Sequence, residues 1–116
     1  MGSNVIQMSP YATRTPTTVR RATAEMADHV KTWRKLRGQT QAQVAERAGV
    51  TRMTVHRLEA GDPGVSLETF LRVLRAVGVL DQVAGSLDPY DSDVGRLRAD
   101  ERLPERVRPK KLNAND

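Results

Sequence analysis

The chain has 116 residues, 38% of them hydrophobic and four aromatic, which suffices for one compact domain plus tails and favours tightly packed small helices over a cavity for a sizeable ligand. Nineteen Lys and Arg against fourteen Asp and Glu give a net charge of +5, which suits a polyanionic partner. The absence of cysteine excludes disulfides and thiolate metal sites, and no apolar run approaches the ~18 residues of a membrane span.

The positive excess is not evenly spread. Residues 1–22 carry three Arg and no acid, and residues 23–64 carry seven basic and five acidic side chains. Residues 65–87 balance at two each and residues 88–116 at seven each. The segment 1–21, with Pro10, Pro16 and many Ser and Thr, reads as a flexible basic arm whose Arg14, Arg20 and Arg21 are free to touch a DNA backbone or to remain solvated.

A compact helical domain is expected over 22–87. Its first helix starts near Thr23 as N-cap, presents Met26, Val30 and Trp33 or Arg34 inward, and ends at Gly38. Thr40-Gln41-Ala42-Gln43 fits a capping box opening a second helix, which Gly49 breaks. Thr51 caps a third helix from Arg52 to Ala60, closed by Gly61 and the turn Gly61-Asp62-Pro63-Gly64. Ser66 caps a fourth, striped with Leu67, Phe70, Leu71, Leu74 and Val77, and Leu80–Leu87 makes a short fifth. No strand-like alternation occurs, so the fold class is all-α. Residues 88–116 read as a charged C-terminal extension with little capacity to form a core, and Pro104 and Pro109 exclude a long regular helix over 102–111.

A helix-turn-helix needs a small residue where two helices touch, a glycine tolerating positive φ at the corner, and apolar residues locking the pair. Ala45 and Gly49 fill the first two roles, and Val44, Ala48, Val50, Val55 and Leu58 fill the third. Arg52, His56 and Arg57 then lie away from the Val55 and Leu58 face and point outward. An Arg so placed can give guanine O6 and N7 two hydrogen bonds, worth roughly 1–3 kcal/mol of discrimination. Met53 can pack on a thymine methyl.

The run Gln41-x-x-Val44-Ala45-x-x-Ala48-Gly49-Val50-Thr51-x-x-Thr54-Val55-x-x-Leu58-Glu59-x-Gly61 resembles the Cro and lambda-repressor (XRE) helix-turn-helix family over residues 24–87. The resemblance implies a five-helix lambda-repressor-like DNA-binding domain. It implies that Gln41 and Thr51 bind phosphates at the starts of their helices, and that Arg52, Met53 and Arg57 read bases, with Thr54 and His56 close beside them. It also implies a partly buried ion pair between Arg34 and Glu59 that aims the recognition helix. Gln39 departs from the family, standing where an apolar residue is common.

The extension resembles that of HipB-like antitoxins in Leu87-Asp88-Pro89-Tyr90, Asp93-Val94-Gly95-Arg96-Leu97 and Leu103-Pro104-Glu105-Arg106-Val107-Arg108. That likeness implies an antitoxin that pairs with a HipA-like kinase toxin and represses their shared operon. The alternative is an autonomous XRE-type regulator whose tail dimerises it or strengthens phosphate binding. Either way the expected partners are a palindromic double-stranded operator and a second copy of the chain, in the cytoplasm, with no cofactor and no membrane. An enzyme is not expected: there is no phosphate-binding glycine loop, and His29 and His56 stand far apart. A calcium loop counted from Asp88 fails too, with Asp93 and Ala99 where Gly and Glu are needed.

Overall fold

The computed structural model describes residues 14–103. Among these residues are α1 (Thr17–Leu36), α2 (Gln41–Ala48), α3 (Arg52–Glu59), α4 (Leu67–Val77), α5 (Leu80–Ser86), a 3-10 turn (Pro89–Asp91) and α6 (Asp93–Arg102), with no strand. The fold is all-α. Residues 1–13 of the expected arm and 104–116 of the extension lie outside the described residues.

The first helix begins earlier than its sequence signals suggest. Pro16 occupies the N-cap position, and its carbonyl accepts the first bonds of the helix from Val19 and Arg20. Thr23 is therefore interior to α1, where its hydroxyl donates to the Val19 carbonyl at 2.9 Å instead of capping a new helix. The inward stripe keeps Val30 and Arg34 but takes Ala27 in place of Met26. Ala27, Val30 and Arg34 are buried, while Met26 is 42% exposed. Both registers fit helical spacing, and the smaller Ala27 side chain allows α1 to approach α3 and α4 closely.

The remaining caps are local and follow from side-chain chemistry. Thr40, Thr51 and Ser66 each accept a hydrogen bond from the amide three residues on, and Gln43 returns a bond to the Thr40 amide, completing the capping box. Gly49 ends α2 at φ 72°, a left-handed conformation costly for any residue with a Cβ. It lets the chain turn at once into the extended Thr51 and then α3.

Val30, Val44, Ala45, Ala48, Val55, Leu58, Val73, Leu74, Val77 and Val79 form one core, flanked by half-buried Trp33, Phe70 and Leu71. Burying side chains of this size stabilises by roughly 1.5–3 kcal/mol each. The stripe on α4 holds at buried Leu74 and Val77 and at half-buried Phe70 and Leu71; Val73 joins it, and Leu67, at the first position of the helix, is 72% exposed.

The extension holds regular structure that its composition did not indicate. Asp88 accepts from the Tyr90 amide to start the 3-10 turn, and Ser92 accepts from the Gly95 amide to cap α6. A Cβ at Gly95 would collide with the Pro89 carbonyl, so this glycine permits the first turn of α6 to lie against the 3-10 turn. Arg96 bonds the Tyr90 carbonyl at 2.6 Å and pairs with Asp93. Tyr90 and Ala99 are buried, whereas Val94 and Leu97 face outward.

Candidate nucleic-acid interface

The helix-turn-helix corner places α3 on the surface with one face committed inward. Val55, Leu58 and Glu59 are buried, and Arg52, Met53, His56 and Arg57 are exposed. Met53 and Arg57, one turn apart, stand opposite Val55, and Met53 is 60% exposed. Thr54 lies half-buried at the edge of this face, its hydroxyl 2.8 Å from that of Thr51. The exposed face of α3 therefore carries two guanidinium groups, an imidazole and a thioether, and no carboxylate.

The corner is held from behind by a buried polar network. Arg34 Nε donates to Glu59 Oε2 at 2.7 Å and its Nη2 to Oε1 at 3.1 Å, a bidentate pair whose residues are 9% and 8% exposed. Arg34 Nη1 reaches the Gln39 carbonyl at 2.9 Å, and Gln41 Nε2 donates to Glu59 Oε1 at 3.1 Å. Four groups, from α1, the α1–α2 connection, α2 and the end of α3, are thus joined in one network. Such a network contributes little net stability over apolar packing but fixes orientation, and breaking it is costly. Gln41, expected at a phosphate, has its side-chain amide engaged here. Its position at the first turn of α2 still leaves the helix N-terminus open to an anion.

Gln39, the departure noted in the sequence, is buried with its Nε2 bonded to the Ala76 carbonyl at 3.3 Å. Its Oε1 accepts no hydrogen bond among the described residues. A second clamp joins α2 to α4: Arg72 donates to the Ala48 carbonyl at 3.2 Å, satisfying the end of α2, and pairs with Glu68.

The far end of α3 carries a contact that sequence reasoning missed. Arg57 Nε donates to Asp62 Oδ2 at 2.7 Å, while Asp62 Oδ1 accepts from the Gly64 amide at 2.7 Å. The Gly64 amide first, and the Arg57 guanidinium second, hold the Asp62 carboxyl below its ordinary value. The available signal was Asp62-Pro63-Gly64, a turn in which Asp tends to bond the amide two residues on. Nothing in the spacing says that the same carboxylate also reaches back to Arg57.

Among the described residues, no cluster of three or more His, Asp or Glu side chains could hold a metal ion, and no helix is long and apolar enough to cross a membrane. A family model described as a helix-turn-helix domain matches residues 25–85. No curated protein and no solved structure matches the chain.

Proposed function

The chain belongs to the helix-turn-helix domain family, and from that premise we propose that it is a sequence-specific DNA-binding transcriptional repressor of the XRE type. The observation that carries this reading is the exposed face of α3, where Arg52, Met53, His56 and Arg57 project from a helix whose opposite side is locked into the core. A helix so presented fits the major groove, with Arg52 and Arg57 as donors to guanine and Met53 against thymine methyl groups. Thr51 and the N-terminus of α2 beside Gln41 are then the phosphate contacts that set its register.

A homodimer on a palindromic operator goes with this reading, its half-sites about 34 Å apart. An open apolar depression of about 350 Å³ lined by Leu67, Leu71 and Leu80 offers a second copy a surface to cover. The test is selection of duplexes from a random pool by the pure chain. A palindromic consensus bound with steep salt dependence is the expected result. Recovery of no enriched sequence contradicts it.

A second reading makes the chain the antitoxin of a toxin–antitoxin pair, neutralising a HipA-like kinase and repressing their shared operon. It draws support from the extension, where α6 turns Val94 and Leu97 outward among alternating charges and so offers a mixed surface for a protein partner. Co-expression with the gene beside its own checks this. A stable complex dependent on Val94 and Leu97 is expected, and independent elution of the two proteins favours an autonomous regulator.

A further inference from the structure

Asp62 makes the only side-chain hydrogen bond to Arg57 among the described residues. Its two oxygens are divided between two jobs. Oδ1 takes the Gly64 amide, which fixes the carboxylate against the backbone of the turn after α3. Oδ2 takes Arg57 Nε, the guanidinium N–H nearest the stem. The terminal Nη1 and Nη2 groups make no hydrogen bond among the described residues, and the side chain remains about half-exposed.

We propose that Asp62 is a positioning residue for DNA recognition, holding Arg57 by Nε so that its two terminal amino groups are aimed at a guanine edge. The proposal rests on the reading of α3 as the recognition helix. Two physical consequences follow. An unrestrained arginine loses much rotamer freedom when it is ordered on a base, and a guanidinium already fixed from behind loses less. A carboxylate beside a phosphate backbone, in contrast, repels DNA whatever its sequence. Positioning therefore favours the selected site, while the bare charge disfavours all sites, so the two effects have opposite signs and can be separated. The Gly64 amide and the Arg57 guanidinium both favour the ionised carboxyl and hold it below its ordinary value.

The test uses the full chain and a duplex selected by the wild type, with each base pair exchanged in turn. Asp62→Asn leaves one acceptor oxygen for two donors, so that with the oxygen on the Gly64 amide its NH₂ faces Arg57 Nε, donor against donor. The expected result is that discrimination at one G·C pair, roughly tenfold in the wild type, falls severalfold while the other pairs are read as before. Affinity for random DNA holds or rises. Asp62→Ala gives the same local loss, Arg57→Ala abolishes discrimination at that pair, and adding Asp62→Asn to Arg57→Ala changes nothing further there. Full discrimination in Asp62→Asn, loss spread evenly over the site, or an effect persisting without Arg57 overturns the proposal alone. A wild type that discriminates among no sequences overturns the DNA-recognition reading and this inference together.

Discussion

The helix-turn-helix corner and the C-terminal unit use the same local code but are held in different ways. Both consist of short helical segments started by a capping oxygen, Thr40 and Thr51 in one, Asp88 and Ser92 in the other. In the corner those segments close over fully buried Val44 and Val55 and a buried Arg34–Glu59 pair. In the C-terminal unit, Tyr90 and Ala99 are buried, and Val94, Leu97 and Leu103 are exposed. Caps decide where a short helix begins, but helices of this length are marginal without tertiary packing. The difference teaches that burial around the segments, and not their local signals, separates a rigid platform from a unit with an uncovered outer face.

The largest effect expected from this contrast is in the corner. Glu59→Ala strands Arg34 inside the protein and releases Gln41 at the same time. Urea unfolding should show a loss of about 3–5 kcal/mol, and a change under about 1 kcal/mol would mean that the network is not structurally coupled. Next comes Gly49→Ala, which forces a Cβ into left-handed backbone and brings it to 3.0 Å from Arg72 Nη1. A loss of roughly 1–2 kcal/mol is expected, measured the same way.

Gly95→Ala probes the other region and should move global stability least. The new Cβ meets the Pro89 carbonyl, so α6 must leave the 3-10 turn. Amide hydrogen exchange over 93–102 should then accelerate while protection in α2 and α3 is retained, with a global change below about 1 kcal/mol. Cooperative loss of protection in the corner as well would break the comparison, showing that the two regions fold as one unit.

Much of the corner was legible because its determinants are local. A hydroxyl with a glutamine three residues on, a glycine after a short apolar-striped segment, and Val44, Val55 and Leu58 at helical spacing each act within one or two turns of chain. The start of α1 was misread because Thr23 can either cap a helix or bond back to a carbonyl four residues earlier, and Pro16 fixes the second outcome. Met26 is expected inside because positions 26 and 27 both fit the spacing of Val30 and Arg34 and only packing chooses between them, whereas Leu67 has the right phase but stands at the exposed first position of its helix. Part of the structure of the extension, the fit of Gly95 against Pro89, is a steric fact that no hydrophobic pattern encodes. In the site, Gln41–Glu59 and Arg57–Asp62 are contacts made by three-dimensional closure, and spacing alone could not have paired them.

The central claim is that the outward face of α3 reads DNA, and it is tested most directly by comparing wild type with Arg52→Ala/Arg57→Ala on the selected duplex across a salt series. The account predicts that the double variant keeps its helical content and unfolding midpoint but binds that duplex more weakly by upwards of about tenfold, approaching its affinity for random DNA. Equal affinity of the two proteins for the selected duplex would contradict it.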